Sequence, residues 1–284
     1  MAGGDIRVVY DSARAQDGSA EVLWREEYEL IARIAQYPKP VVTIMDGITM
    51  GGGMGLGCHG PIRIATERSV LAMPEVSIGL APDVAGTLLL ARAPGHIGEH
   101  LALTASRMGA ADAVYCGLVD HVVPSDSIGE LARRLPAGAS TAALAALAIP
   151  PGESRLAQEQ AWIDECYGAG TVEEVICRLE AHEAPAAHAA AAQVRMMSPL
   201  STKVTLRAMH ETRRKEGIED VLIQDFRVSN RFLQAPDLVE GIRAAVVDKD
   251  RRPRWSPAAV EQVTPAMVDR HFESLGEHDL RLAV

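Results

Sequence analysis

The sequence at residues 47–57 is GITMGGGMGLG, a glycine-rich turn that follows the apolar run VVTIM at residues 41–45. A short, mostly β-branched run of this kind predicts a strand that is buried on both faces. The successive glycines Gly51–Gly53 have no Cβ atoms, so a ligand can approach the backbone N–H groups at the start of the next helix. The stretch therefore predicts a turn that binds a phosphate or stabilises the oxyanion of an acyl-transfer intermediate. A glycine-lined helix that only packs closely on a strand is the alternative.

The glycine spacing excludes the common nucleotide-binding and serine-hydrolase motifs. A dinucleotide pattern G-x-G-x-x-G that begins at Gly51 meets Leu56 at its last position, and one that begins at Gly53 meets Cys58. The sequence also contains no G-x-x-x-x-G-K-[ST] phosphate loop and no G-x-S-x-G nucleophile elbow. The turn is therefore not that of a dinucleotide site, a P-loop NTPase or an α/β-hydrolase.

Short strand-like and helix-like runs alternate in the first part of the chain, and helical runs dominate afterwards. Residues 22–36 repeat apolar side chains with a helical period, and Pro38 and Pro40 end that helix. Short apolar runs predict further strands at residues 62–65, 70–73 and 118–123, with two or three short helices over residues 86–120 and almost wholly helical structure over residues 126–234. The sequence therefore predicts an α/β core at residues 1–125 and a helical C-terminal region at residues 126–284.

Composition limits the class of protein. The chain of 284 residues carries a formal net charge of −10, which argues against nucleic-acid partners, since these need Lys and Arg to neutralise phosphates. Its 4 cysteines are well separated, which argues against a zinc site or a thiol-redox motif. The first residues lack a signal-peptide pattern, and no apolar run reaches the roughly 18 residues of a membrane span. We therefore expect a soluble, cytoplasmic protein with no metal, no nucleic-acid partner and no membrane partner.

Two acidic residues each follow a proline after the strand at residues 70–73. Glu75 follows Pro74, and Asp83 follows Pro82 further along. Small and apolar residues separate the two acids, and a carboxyl group in such surroundings has a raised pKa and can act as a general acid, a base or a nucleophile. Because proline disfavours a continuous helix, we expect both acids on a shaped loop. Two ordinary surface-loop carboxylates are the alternative.

The glycine turn and the two acids together resemble the crotonase (enoyl-CoA hydratase/isomerase) superfamily, and within it the 3-hydroxyisobutyryl-CoA hydrolase family. The resembling segments follow in order along nearly the whole chain: AGGDIR at 2–7, REEY at 25–28, KP at 39–40, HGPIRIATE at 59–67, MPEVSIGLAPD at 73–83, ALTASRM at 102–108, AVYCGLVDHVV at 113–123, SPLSTKVTLR at 198–207 and EGIRAAVVDKDRRPRW at 240–255. The resemblance implies a crotonase-like fold, in which a spiral of β-β-α units precedes a helical C-terminal region.

The resemblance also implies roles for individual residues. The backbone N–H groups of Gly4 and Gly52 would form an oxyanion hole for the thioester carbonyl of an acyl-CoA. Glu75 matches the catalytic glutamate, Asp83 matches a second catalytic acid, and Glu27 in REEY matches a substrate-binding glutamate. Substrate binding would also involve the middle glycine and both catalytic acids. No separate cofactor is implied, because coenzyme A is part of the substrate, and the helical region implies a possible homo-oligomer.

The acids that are present favour one reaction of the superfamily. Enoyl-CoA hydratases carry a glutamate three residues after the middle glycine, where this chain has Gly55, and they usually have a glycine where this chain has Asp83. The resemblance therefore implies hydrolysis of a short branched 3-hydroxyacyl-CoA, such as 3-hydroxyisobutyryl-CoA in valine catabolism. Glu75 would either attack the carbonyl or activate a water. An enoyl-CoA hydratase or isomerase, and a catalytically impaired acyl-CoA-binding homologue, are the alternatives.

The resemblance also has an implication for the N-terminus of the chain. Met1 falls within the strand end that has the pattern FCAGGD in the family, so the opening strands and first helix of the family would come before it. We therefore expect the chain to lack that first unit, either because the start codon is misassigned or because this is a shortened variant.

Overall fold

The computed structural model describes residues 3–135 and 140–282, and its strands form two small parallel sheets. The first sheet has the order β1-β3-β5, and the second pairs β2 with β4. The strands are β1 (Val42–Met45), β2 (Ile48–Met50), β3 (Ile62–Ala65), β4 (Val70–Ala72) and β5 (His121–Val122). The register places Val42 opposite Ile62 in the first sheet and Ile48 opposite Val70 in the second. Each consecutive pair, β1–β2 and β3–β4, therefore contributes one strand to each sheet, as repeated β-β-α units do.

Helices surround these sheets. Those of the first part are α1 (Ile6–Ala15), α2 (Ser19–Ala35), α3 (Gly52–Cys58), α4 (Gly86–Ala91), α5 (Ile97–Thr104) and α6 (Ala110–Tyr115). Those that follow are α7 (Ile128–Arg134), α8 (Ser140–Leu147), α9 (Arg155–Tyr167), α10 (Val172–Ala181), α11 (Pro185–Met196), α12 (Pro199–Thr212), α13 (Ile218–Phe232), α14 (Pro236–Ile242) and α15 (Pro265–Asp269). A 3₁₀ turn at Glu75–Ile78 follows β4, and a π-helical turn at Arg243–Val247 continues α14.

One hydrophobic core joins the sheets to the later helices. Tyr28 and Leu71 from the first part are fully buried in the same cluster as Phe226 and Leu238 from the second. Helix α13 packs on α2, and α12 packs on α4 and α5. The core thus continues across residue 125, and the division into two domains at that residue stays a prediction.

The predicted α/β class and the helical later part are confirmed, while some boundaries differ. The strand predicted at residues 118–123 is shorter, because only His121–Val122 pairs with β3. Leu118 and Val119 are buried but lie in the bend after Gly117, so their apolar character reflects burial without strand pairing. The sequence also did not predict α1, which begins directly after Asp5 because that side chain accepts a hydrogen bond from the N–H of Arg7 at 3.0 Å.

Two predictions fall partly outside the described residues. Residues 136–139 belong to the stretch that was predicted to be helical, and Met1 was predicted to lie within a strand end. Within residues 3–135 and 140–282, no helix combines the length and the apolar character that crossing a membrane requires.

Candidate active site

A cavity of about 260 Å³ lies between the start of α1, helix α2 and the glycine turn before α3. Its wall includes every residue to which the sequence assigned a role: Gly4, Glu27, Gly52, Glu75 and Asp83. Apolar side chains form much of the remaining wall, among them Leu23, Trp24, Met50, Ile78 and Leu80. The chain therefore brings the predicted site residues together around one space, and their individual roles stay predictions.

The glycine turn brings two backbone segments into close contact. A Cβ atom added to Gly3 would lie 3.0 Å from the backbone nitrogen of Gly52, so the turn at Gly3 and Gly4 lies directly against the first residue of α3. N–H groups in the first turn of a helix have no acceptor within that helix. The turn therefore offers backbone donors at the cavity wall, which is what an oxyanion hole needs.

Two carboxyl groups lie beside the glycine turn. A Cβ atom on Gly51 would lie 2.9 Å from Oε1 of Glu75, and one on Gly52 would collide with Oε1 of Glu27. Any side chain at either glycine would therefore displace a carboxyl group of the cavity. The close approach of these acids explains the two glycines, so helix packing alone is not the reason for them.

Glu75 begins the 3₁₀ turn directly after Pro74, on a shaped loop as expected. Its side chain is 4% exposed, and its Oε2 atom has no hydrogen-bond partner among the described residues. Burial raises the pKa of Glu75 well above its usual range, and the nearby charge of Asp83 raises it further. Glu75 therefore presents a buried carboxyl group that can hold or release a proton at the cavity wall.

Asp83 lies in the loop between Pro82 and α4 and is 6% exposed. Its Oδ2 atom accepts a hydrogen bond from the hydroxyl group of Tyr28 at 2.7 Å. Burial raises the pKa of Asp83 to about 6, although the hydrogen bond from Tyr28 offsets part of that rise. Asp83 is therefore largely ionised near neutral pH, which suits a group that accepts a hydrogen bond from a substrate hydroxyl.

Glu27 on α2 is half-buried and lies in the cavity wall together with Glu75 and Asp83. Burial, followed by the charge of Asp83, raises the pKa of Glu27 to about 7. Like charges in a poorly solvated site disfavour one another, so the acids of this cavity do not all ionise together. The cavity therefore retains exchangeable protons near neutral pH, as acid–base chemistry requires.

Two of the side chains that contact the Asp83 loop, those of Tyr28 and Asp225, were not predicted from the sequence. The hydroxyl group of Tyr28 bonds Asp83, and the carboxyl group of Asp225 on α13 accepts a hydrogen bond from the N–H of Ala85 at 2.8 Å. Tyr28 follows Glu27 in the REEY segment, so that motif contained a usable signal. Asp225 lies 140 residues from Ala85, within an amphipathic helix, and no local pattern distinguishes it.

Position 55 is closed to any side chain. A Cβ atom on Gly55 would lie 2.6 Å from Cβ of Val84 and 2.8 Å from Cδ1 of Ile31. Helix α3 therefore packs at Gly55 directly against the residue that follows Asp83. A glutamate side chain, which the resemblance implies for hydratases at this position, has no space here.

Comparison with known proteins extends along almost the whole chain. The sequence profile of the family described as "Enoyl-CoA hydratase/isomerase" matches residues 1–272. A protein of Gallus gallus named "3-hydroxyisobutyryl-CoA hydrolase, mitochondrial" is 38% identical over an alignment of length 294. The alignment covers 99% of this chain and 76% of the relative. The crystal structure of a carnitinyl-CoA dehydratase from Mycobacterium thermoresistibile has a TM-score of 0.95 at 46% identity and covers 99% of this chain and 82% of its own. That of an enoyl-CoA hydratase from Rhodobacter sphaeroides 2.4.1 has a TM-score of 0.91 at 42% identity, with the same coverage of 99% and 82%.

These similarities confirm the predicted crotonase-like fold, because both solved structures match over 99% of the chain. The similar proteins are named after different reactions. The Gallus gallus relative is named as a hydrolase, and the two solved structures are named as a dehydratase and a hydratase. All of these names describe reactions of CoA thioesters. The choice among the reactions therefore depends on the residues around the cavity.

Proposed function

We propose that this chain, which belongs to the enoyl-CoA hydratase/isomerase family, hydrolyses the thioester of a short branched 3-hydroxyacyl-CoA to the free acid and CoA. The proposed substrate is 3-hydroxyisobutyryl-CoA, the compound in the name of the Gallus gallus relative, or a close analogue. The identity of 38% over 99% of the chain supports an acyl-CoA thioester hydrolase.

The enclosed Gly55 is the observation that carries the choice of hydrolysis. Val84 and Ile31 leave no room for a side chain there, and hydration of an enoyl-CoA uses a pair of carboxylates that orients one water. This cavity keeps only Glu75 of that pair and gains Asp83. The acids therefore favour attack at the thioester carbonyl over addition of water to a double bond.

In the proposed reaction, the N–H groups of Gly4 and Gly52 donate hydrogen bonds to the thioester carbonyl oxygen. They stabilise the oxyanion that forms when a nucleophile adds to the carbonyl carbon, and loss of one such donor costs roughly 3 kcal/mol of transition-state stabilisation. Collapse of the tetrahedral intermediate breaks the C–S bond and expels the CoA thiolate, which takes up a proton. The contact between the two glycine turns, with Gly3 against Gly52, supports this part of the proposal.

Glu75 supplies the nucleophile by one of two routes. Its carboxylate adds to the carbonyl carbon and forms a mixed anhydride that water then hydrolyses, or it takes a proton from a water that attacks directly. The Oε2 atom, which has no partner within the described part of the chain, is available for either route. Labelled oxygen in Glu75 after a single turnover in isotopically labelled water identifies the covalent route with attack of water at the glutamyl carbon of the anhydride, because direct attack of water on the thioester leaves the label in the product alone.

Asp83 and Glu27 bind the substrate in this proposal. The carboxylate of Asp83 accepts a hydrogen bond from the 3-hydroxyl group, which fixes the acyl chain relative to Glu75. Burial raises the pKa of Glu27 to about 7, so this side chain is partly protonated near neutral pH and can donate a hydrogen bond to the substrate.

Release of free CoA from 3-hydroxyisobutyryl-CoA, followed with a thiol reagent, tests the proposal. We expect turnover by the wild-type chain and loss of turnover in Glu75→Gln. Glu26→Gln, which changes an exposed carboxylate next to Glu27 on α2, is the matched control and should keep the wild-type rate. Folded wild-type protein that releases no CoA from any short 3-hydroxyacyl-CoA contradicts the proposal.

A dehydratase or hydratase is the second candidate, because the solved structures at 46% and 42% identity carry those names. That reaction would convert a 3-hydroxyacyl-CoA to an enoyl-CoA, seen as a rise in enoyl absorbance without free CoA. A catalytically impaired homologue would bind acyl-CoA in a calorimeter and form neither product. Product analysis together with calorimetry therefore separates the three candidates.

The wider setting belongs to the same proposal. We assign the reaction to valine catabolism, with CoA as part of the substrate and no separate cofactor, and we infer self-association through the helical region. The cytoplasmic location stays a prediction, and the name of the Gallus gallus relative contains the word mitochondrial. Size-exclusion chromatography and cell fractionation test the last two points.

A further inference from the structure

The loop that carries Asp83 has an uncommon backbone. Val84 and Ala85, the two residues that follow, have φ angles of 55° and 54° in the left-handed region, and both side chains are fully buried. Residues with a Cβ atom seldom adopt this region, and a β-branched valine is an outlier there. Such a backbone persists only where its surroundings hold it. The direction of the Asp83 carboxyl group therefore depends on contacts from neighbouring elements.

Two side chains hold a single peptide unit of this loop. The Oδ2 atom of Asp225 accepts a hydrogen bond from the N–H of Ala85 at 2.8 Å, and Nε2 of His59 donates one to the carbonyl oxygen of Val84 at 2.9 Å. Burial lowers the pKa of His59 to about 4, so its ring is neutral near neutral pH and donates through one N–H. Both polar groups of the peptide between Val84 and Ala85 are therefore fixed from outside the loop.

The carboxyl group of Asp83 is held by Tyr28. The Tyr28 hydroxyl donates to Oδ2 of Asp83 at 2.7 Å and lies 3.2 Å from Oγ of Ser229. Its ring is fully buried and meets Phe226 edge-on, with the ring centroids 6.2 Å apart. Asp225 and Ser229 are four residues apart, so they share one face of α13. That face therefore supports both the loop and the tyrosine that bonds to it.

From these contacts we propose that Tyr28 and Asp225 are positioning residues for Asp83. Tyr28 fixes the carboxyl group, and Asp225 fixes the backbone behind it. Neither side chain is among the described residues that line the cavity, so both act through Asp83. The inference rests on the proposed function, in which Asp83 binds the 3-hydroxyl group of the substrate.

The titratable groups that face Asp83 explain why a neutral support is needed. Glu27 and Tyr28 face it from α2, Glu75 from the 3₁₀ turn and Asp225 from α13. Burial, and then the charge of Asp83, raise the pKa of Asp225 well above its usual range, so an ionised Asp83 favours the protonated form of Asp225. A neutral Asp225 accepts the backbone N–H without placing a second negative charge behind the loop. Asparagine offers the same acceptor.

Tyr28→Phe tests the first contact, because it removes the hydroxyl group and keeps the packed ring. We expect kcat with 3-hydroxyisobutyryl-CoA to fall by about tenfold or more, with the melting temperature little changed, because Asp83 is no longer held in the productive direction. Tyr167→Phe is the matched control. Tyr167 is also fully buried, but its hydroxyl group bonds to Nδ1 of His100 at 3.0 Å, outside the cavity.

The same variant has a readout that needs no turnover. Carbon NMR of the aspartate carboxyl groups, assigned with Asp83→Asn, follows the pKa of Asp83 directly. That pKa should rise in Tyr28→Phe, because a hydrogen bond that favours the charged form is lost. It should stay at its wild-type value in Tyr167→Phe.

A pair of substitutions at position 225 tests the second contact. Asp225→Asn keeps an acceptor for the N–H of Ala85, and we expect its kcat within about threefold of wild type. Asp225→Leu keeps the branched shape of the side chain but has no acceptor, and we expect its kcat to fall by about tenfold or more. Asp112→Leu is the control, because Asp112 also accepts a buried backbone N–H, from Leu156 at 3.0 Å, but outside the cavity.

The expected pattern is loss of kcat in Tyr28→Phe and Asp225→Leu, with Asp225→Asn active and both controls unchanged in kcat. An unchanged kcat together with an unchanged pKa of Asp83 in folded Tyr28→Phe overturns the inference. If Asp225→Leu does not fold, Tyr28→Phe decides the matter. A wild-type chain that releases no CoA overturns only the proposed function, since the NMR titration still tests how Asp83 is held.

Discussion

The Glu75 turn (Glu75–Ile78) and the Asp83 loop (residues 82–85) face the same cavity but are supported in different ways. The Glu75 turn is held through its backbone. The N–H of Ser198 bonds to the carbonyl oxygen of Val76 at 3.1 Å, and Gly241 of α14 packs so closely that a Cβ atom there would collide with the backbone of Ile78. Neither of these contacts involves the side chain of Glu75.

The Asp83 loop is held mainly by side chains, and its carboxyl group is itself bonded to Tyr28. Within the described ranges, Oε2 of Glu75 has no partner, whereas Oδ2 of Asp83 accepts a hydrogen bond at 2.7 Å. The difference fits the two proposed roles. An acid that forms or breaks bonds during the reaction benefits from an unpaired oxygen on a fixed backbone, and an acid that binds and positions the substrate benefits from a fixed direction.

The largest expected effect on kcat comes from a change of Glu75, the acid with the proposed role of nucleophile or base. Glu75→Gln keeps the volume of the side chain but removes the nucleophile or base, so we expect kcat to fall by roughly a thousandfold or more. Calorimetry should show that 3-hydroxyisobutyryl-CoA still binds. A kcat that stays above about a tenth of the wild-type value means that Glu75 does not have the proposed role.

The next effect comes from a change that disturbs the Asp83 loop and leaves the Glu75 turn alone. The new Cβ atom of Gly55→Ala would lie 2.6 Å from Cβ of Val84, so the loop must shift. We expect kcat to fall by about a hundredfold and the free energy of unfolding, from chemical denaturation, to fall by about 1–3 kcal/mol. Gly129→Ala on α7 is the control, because its new Cβ atom would have Nη1 of Arg133 as its nearest neighbour, at 3.8 Å.

A smaller effect on turnover is expected from a change of Asp83, the acid that is proposed to bind the 3-hydroxyl group. Asp83→Asn should lower kcat for 3-hydroxyisobutyryl-CoA by about tenfold and raise its KM, because an amide replaces the charged acceptor of the 3-hydroxyl group and the acyl chain is no longer fixed relative to Glu75. KM for the analogue without that hydroxyl group should change much less, and steady-state kinetics with the two substrates measure the difference. Equal changes for both substrates contradict a contact between Asp83 and the hydroxyl group.

The smallest effect concerns stability and pH. Burial raises the pKa of Asp83 from 3.8 to about 6, so the folded chain binds this proton more tightly than the unfolded chain does. The stabilisation of the folded state by the bound proton of Asp83 is therefore complete below a pH of about 4 and is lost as the pH rises through about 6. We expect the free energy of unfolding of Asp83→Asn, measured by urea denaturation, to increase relative to that of wild type as the pH rises across this range. A constant difference between the two proteins contradicts the raised pKa.

Part of the site was predictable from short local patterns, while Gly4 and Glu27 were assigned only through the family resemblance. Gly52 belongs to a glycine run before a helix, and Glu75 and Asp83 each follow a proline after a strand. The strands β1, β3 and β4 were predicted from apolar runs of a few residues, and the structure confirms them. What the local pattern predicts is the type of residue and its element, which is enough to assemble a candidate site.

The support of the site was not predictable, because it depends on contacts between distant residues. Asp225 meets Ala85 across 140 residues of chain, and nothing near Asp225 marks that contact. The left-handed backbone of Val84 runs against the preference of valine, so tertiary packing must impose it. Local pattern therefore pointed to Glu75 and Asp83, the resemblance added Glu27, and neither identified the groups that hold these acids.

The hydrogen bond between Asp225 and Ala85 also has a consequence for synthesis of the chain. The ribosome completes the segment up to Asp83 long before it reaches α13, because domains are made from the N-terminus. Until α13 docks, the N–H of Ala85 lacks the acceptor on Asp225, and the left-handed backbone of that loop has only part of its support. Since contacts of high sequence separation form late, catalytic competence should appear with the docking of α13 and well after the strands have paired.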